Sequence, residues 1–152
     1  MRLFMNPCYY GIQSNHTARP FVANVAGLSA QNPNFRTELW TGSYAQMTLM
    51  CVPVCSDIGL EIHEDTDQII RIEQGSALVK MGTCEKQLDF QRRVSIGDVI
   101  FVPAGTWHNV INIGRRPLKV STVYAPPHHP AGTVHRTKED AERAHYQGLY
   151  II

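Results

Sequence analysis

Gly97-Asp98-Val99-Ile100-Phe101-Val102-Pro103-Ala104-Gly105-Thr106-Trp107-His108-Asn109-Val110-Ile111-Asn112 carries two turns and two short strands in sixteen residues. Gly97-Asp98 is a turn dipeptide, Val99 to Val102 is a short apolar run, and Pro103-Ala104-Gly105 is a second turn. Thr106 to Asn112 then alternates, so His108, Val110 and Asn112 share one face of a strand. That face sets one imidazole among small or apolar neighbours. A histidine so placed is either a satisfied core residue or a metal ligand, and the stretch alone does not decide between them.

A second patch upstream bears on the choice. Glu61 and His63 lie two apart in Gly59-Leu60-Glu61-Ile62-His63, which reads as a strand from Leu60 to His63 and gives them a common face. Glu64 to Asp67 reads as a turn, and Gln68 opens the next strand. Glu61, His63 and Gln68 can then converge, with His108 as a fourth donor.

These residues resemble the paired motifs of the cupins. The second cupin motif, G-x5-P-x-G-x2-H-x3-N, is met by Gly97, Pro103, Gly105, His108 and Asn112. The first, G-x5-H-x-H-x3,4-E-x6-G, fits in part when anchored on Gly75. Gln68 then stands in the glutamate slot, His63 in the second histidine slot, Glu61 in the first, and Cys55 replaces the leading glycine. The finer resemblance is to small single-domain cupins described as mannose-6-phosphate isomerase-like, a label that rests on fold.

The resemblance implies an all-β double-stranded β-helix, the cupin jelly-roll barrel, with a metal held by Glu61, His63, Gln68 and His108. Set against the family's three imidazoles and one carboxylate, donor count and charge are kept. Two histidines and one carboxylate suit divalent iron, manganese, nickel or zinc. Gln68, a neutral amide, either binds the ion loosely or orients a water. Asp65 is the rival to Glu61, since His63-x-Asp65 has the same spacing, but the run from Glu64 to Asp67 reads as a solvated turn. Asp67, Arg71, Trp107 and Tyr124 are candidate substrate contacts, and Ile70, Ile72, Phe101 and Val110 are the expected lining of the mouth.

Elsewhere, strands are expected at Arg36 to Trp40, Tyr44 to Val54, Gln68 to Glu73, Ala77 to Met81, Leu88 to Val94, Val99 to Val102, Trp107 to Asn112 and Leu118 to Tyr124. In the second of these, Gln46, Thr48 and Met50 share one face and Met47, Leu49 and Cys51 the other, so both faces are covered. The chain divides into an arm at 1–34, a barrel at 35–125, and a loop and helix at 126–152 packed on the barrel, with Thr137 capping the helix. His128 and His129 fall in a proline-rich loop and read as surface residues rather than ligands.

With 152 residues, one domain buries about two-thirds of its unfolded surface without disulfides. A net charge of +1 and 18% charged residues leave no basic stripe for nucleic acid. No apolar run approaches membrane-spanning length, and the start of the chain lacks the apolar core of a signal peptide. Cys8, Cys51, Cys55 and Cys84 lack metal-finger or redox-pair spacing, and read as buried reduced thiols in the cytoplasm.

Two functional classes follow from the resemblance. One is a metal-dependent enzyme, of isomerase, dioxygenase or lyase type, acting on a small carbonyl, sugar or organic acid. The other is a non-catalytic binding module using the same pocket. A sugar-phosphate substrate needs basic residues near the mouth, for which Arg36, Arg71 and Lys80 are the strand candidates. A homodimer is expected, because an open barrel leaves strand edges to cover.

Overall fold

The computed structural model describes residues 17–147. In chain order the elements are α1 (Val25–Gln31), β1 (Arg36–Thr41), β2 (Gln46–Val52), β3 (Asp67–Gln74), β4 (Ser76–Gly82), β5 (Phe90–Ser95), β6 (Val99–Val102), β7 (Trp107–Asn112), β8 (Leu118–Ala125), β9 (Val134–His135) and α2 (Lys138–Tyr146). Among the described residues the strands form a six-stranded sheet, in the order β6-β3-β8-β2-β1-β9, facing a three-stranded sheet, β5-β4-β7. The pairings are antiparallel. This is the jelly roll expected from the sequence.

Alternation decides which side chains face inward. On β8, Leu118 and Val120 point inward beside Val52 and Met50 of β2, and Ile72 and Ile70 of β3 complete the layer against Ala77, Val79 and Val110 of the opposite sheet. Each of these valine, leucine, isoleucine and methionine side chains contributes about 1.5–3 kcal/mol by leaving water. One end of the interior is therefore dry. The other carries Gln46, Thr48, Gln68, Thr122 and Tyr124, all buried.

Asn112 shows why the motif ends on an amide. Its Nδ2 donates to the carbonyls of Val52, Pro53 and Arg116, and its Oδ1 accepts from the Gly114 amide at 2.9 Å. It staples three chain segments below the site and does not enter it.

The second strand covers Gln46–Val52 and has Leu49 fully buried on its outer face. The cover is α1, which the sequence reading missed within the arm. The helix lies against β2, β3 and β8, capped by the Asn24 side chain accepting from the Gly27 amide at 3.0 Å. Residues 1–16 of the expected arm lie outside the described residues. The two-residue β9, also missed, pairs with β1. Thr137 caps α2 in a full capping box with Asp140.

Two further expectations are corrected. Phe101 does not line the interior: Ile100 and Val102 point inward, so Phe101 is 66% exposed. The cysteines are free but not buried, since Cys55 and Cys84 sit in exposed turns and Cys51 is half-buried, while Cys8 lies outside the described residues. No helix among the described residues is long and apolar enough to cross a membrane.

Candidate metal centre

The segment carrying Glu61 and His63 runs antiparallel to β7 without forming a continuous strand. The amide of Ile58 donates to Val110, that of Glu61 to His108, and that of Gly105 to the His63 carbonyl at 2.7 Å. From Ile58 to Glu61 the chain advances three residues while β7 advances two. Gly59, at φ +99°, takes up the extra residue in a conformation that side chains resist. The expected strand from Leu60 to His63 is thus a single bridge between Glu61 and His108. The bulge resets the register so that Glu61 stands directly beside His108.

Three donors meet there. Glu61 Oε1 lies 3.4 Å from His63 Nε2 and 3.4 Å from His108 Nε2. One ligand atom from each residue falls within 4.8 Å of the others, a grouping that could hold a metal ion. Both histidines are buried, and although the Glu61 side chain is 26% exposed, its Oε1 is sealed from solvent.

The donor set fits a metal on its own chemistry. His108 Nδ1 lies 2.9 Å from the Thr106 carbonyl. Only an N–H can point there, so Nδ1 carries a proton and Nε2 is the ring nitrogen turned to the cluster. Glu61 Oε1, His63 Nε2 and His108 Nε2 are all buried without a well-formed hydrogen bond among the described residues. Leaving such atoms unsatisfied is costly. Ligands at about 2.0–2.2 Å from a common ion sit about 3 to 3.4 Å apart, which matches the two separations from Glu61 Oε1 to the imidazole nitrogens. Burial alone raises the Glu61 carboxyl, but the facing His108 and His63 rings outweigh it and hold the group well below its ordinary range.

Gln68 is fully buried on β3, its Nε2 donating to Thr122 Oγ1 at 3.1 Å. That bond fixes the amide, and Oε1 is left buried without a partner among the described residues. Asp65 is exposed and accepts from the Thr66 hydroxyl at 3.3 Å; it is not part of the grouping.

Of the candidate substrate contacts, the structure brings only Tyr124 to the cluster. Its ring centroid lies 5.8 Å from that of His63. Burial pushes its hydroxyl up to about 12, so it stands as a neutral donor. Arg71 is corrected: inward-facing Gln68, Ile70 and Ile72 put it on the outer face, where Nη1 binds Glu73 at 3.1 Å. Trp107 shares that fate on β7, since His108 and Val110 occupy the inner face. Asp67 is exposed and accepts from the Ala104 amide at 2.9 Å, fixing the turn after β6.

The loop after β8 is also corrected. His128 and His129 are folded over the site rather than lying on the surface. The His128 ring stands 4.1 Å from that of His63 and stacks at 25° on Tyr124, while His129 meets Tyr124 edge-on at 4.9 Å. Buried Gln46 clamps this loop: its Oε1 accepts from the His128 and His129 amides and its Nε2 donates to the His129 carbonyl at 2.7 Å. Burial holds His128 down at about 4, with His63 adding to the effect. The signal in the sequence was Gln46, a polar residue on a strand face that is otherwise core.

Fold and cluster together define a small β-barrel protein with a buried donor set suited to a metal. The chain belongs to the cupin domain family, whose profile matches residues 48–124. It is 56% identical over 126 residues to the uncharacterized protein YrkC of Bacillus subtilis (strain 168), covering 83% of this chain and 68% of that protein. An uncharacterized protein of Acanthamoeba polyphaga mimivirus is 39% identical over 115 residues, covering 75% of this chain and 70% of the other. The crystal structure of BH2720 from Bacillus halodurans superposes with a TM-score of 0.82 at 52% identity, covering 83% of this chain and 96% of that one.

Proposed function

We propose that the chain is a divalent-metal-dependent cupin enzyme acting on a small carbonyl, sugar or organic-acid substrate. The observation that carries this reading is the convergence of Glu61, His63 and His108, with their donor atoms buried and turned toward one point. Gln68 is the proposed fourth donor, because its free Oε1 is the remaining buried acceptor among the residues that fill the two motifs. Iron, manganese, nickel and zinc all suit such a set. A bound ion of this kind supplies Lewis-acid polarisation of a carbonyl or hydroxyl, or redox chemistry if it is iron.

The chain's own residues supply the rest. Ile70, Ile72 and Val110 are at most 1% exposed and keep the barrel interior dry. Tyr124, neutral and buried beside His63, is a proton donor held within the same space. That neighbour favours turnover over the alternative of a binding module that only holds its ligand. The narrower mannose-6-phosphate isomerase-like version is less well supported, since a phosphate calls for basic side chains and both Arg71 and Lys80 lie on outward faces. We place the protein in the cytoplasm, working on a small molecule without nucleic acid or membrane. A homodimer is proposed because the edges of β5 and β6 leave Phe90 and Phe101 exposed.

The test is turnover. Protein loaded in turn with iron, manganese, nickel and zinc is incubated in deuterated buffer with 2-hydroxy acids, 2-oxo acids and aldose phosphates, and followed by proton NMR. Metal-dependent product formation or deuterium uptake next to a carbonyl is expected for one class. Binding with no reaction in any arm would replace the enzyme with the binding module.

A further inference from the structure

Arg36 is a buried cation without a counter-ion. It is 5% exposed, on the inner face of β1 opposite Met50. None of the ion pairs among the described residues involves it. Its contacts are weak: Nη1 lies 3.5 Å from His135 Nδ1, Nη2 lies 4.0 Å from Met50 Sδ, and Cζ is 5.8 Å from the Phe35 ring. Nε has no partner. Glu38, the buried carboxylate two residues along, is committed to the Thr41 hydroxyl at 2.8 Å and the Gly132 amide at 3.1 Å. A guanidinium in this state is costly to the fold and is tolerated where something else completes it.

Two hydroxyls share its surroundings. Thr48 is the next inward residue after Met50 on β2, opposite Thr122, and Tyr124 is the next inward residue on β8. Both are fully buried, and neither Thr48 Oγ1 nor the Tyr124 hydroxyl makes a well-formed hydrogen bond among the described residues. Three donor groups from three adjacent strands thus converge, the Tyr124 hydroxyl facing both Thr48 and Arg36, with no ion pair to the guanidinium among the described residues, and Tyr124 also borders His63.

We propose that Arg36, with the Thr48 and Tyr124 hydroxyls, is an anion subsite that takes the carboxylate of a small organic acid. One guanidinium and two neutral hydroxyls match a planar monoanion. A phosphate dianion would keep an unanswered charge, because Arg71 and Lys80 face outward. An acid anchored there directs its other end past Tyr124 toward Glu61, His63 and His108. That last placement rests on the metal reading; capture of the carboxylate does not.

The probe is propionate, with propionamide as its neutral isostere, titrated by amide chemical shifts into the chelator-treated full chain. Propionate is expected to bind and propionamide to bind at least about tenfold more weakly. Arg36→Met should weaken propionate by about tenfold or more while leaving metal content unchanged, and His108→Ala should lose metal yet still bind propionate when metal-free. If Arg36→Met does not fold, the near-isosteric Thr48→Val carries the test, with several-fold weakening expected. Equal affinity for the amide, no propionate binding, or an unchanged affinity in the folded variant overturns the subsite. Propionate binding that requires metal and vanishes in His108→Ala also overturns it, while leaving the metal reading intact.

Discussion

Replacing Glu61 with alanine is expected to lower metal occupancy tenfold or more, whereas Asp65→Ala should leave it at the wild-type level. The magnitude follows from the loss of a donor in direct contact with the ion. The asymmetry follows from position. Glu61 Oε1 stands 3.4 Å from both imidazole Nε2 atoms, and Asp65 is an exposed turn residue whose carboxylate contacts Thr66. Glu61 also supplies the negative charge of the set, so its removal leaves two neutral imidazoles and an amide, a poor match for a divalent ion. The measurement is metal content by mass spectrometry after dialysis against metal-free buffer. A drop in Asp65→Ala with Glu61→Ala unaffected would move the carboxylate ligand to the rim.

The chelator-treated protein should lose stability steeply between about pH 6.5 and 4. His135 is held down from 6.5 to about 4 by burial and by the neighbouring Arg36, and burial and Arg36 hold His129 well below its ordinary value. Both are neutral when folded, so the unfolded chain binds more protons as pH falls through 6.5. The stability they confer is therefore complete above the unfolded value and drains away toward the folded one. Each contributes a slope of up to about 1.4 kcal/mol per pH unit in that window. Two such slopes are large against a total stability on the order of 5–15 kcal/mol. Denaturant midpoints at pH 7, 6, 5 and 4.5 check this, and His135→Asn should flatten the curve. A midpoint that does not move between pH 6.5 and 4.5 would show that these rings are protonated in the folded state.

Much of this architecture was legible because it is written in short-range pattern. The motif from Gly97 to Asn112 marks its own turns, and β6 and β7 follow the expected bounds of Val99 to Val102 and Trp107 to Asn112. Thr137 and Asp140 announced α2 in the same way. Even the altered first motif was informative. Cys55, standing where the family has glycine, adopts φ +60°, so the left-handed turn survives the substitution.

What stayed hidden depends on contacts far apart in sequence. Leu60 to His63 has the composition of a strand, yet Gly59 breaks its ladder, and only the facing strand reveals the shifted register. Arg71 and Trp107 are polar or aromatic residues near the motifs, yet alternation against Gln68 and His108 turns both outward. His128 and His129 look solvated in a proline-rich loop because the residue that holds them, Gln46, lies more than 80 positions away. Arg36 read as one basic residue among several, since nothing local says that its strand face is the barrel interior.

The central claim is that Glu61, His63 and His108 hold a metal ion. It is tested most directly by the metal content of wild-type protein purified without added metal, compared with His108→Ala prepared alongside. A transition metal near one equivalent is expected in the wild type, with a loss of tenfold or more in the variant. Equal occupancy in the two proteins would contradict it.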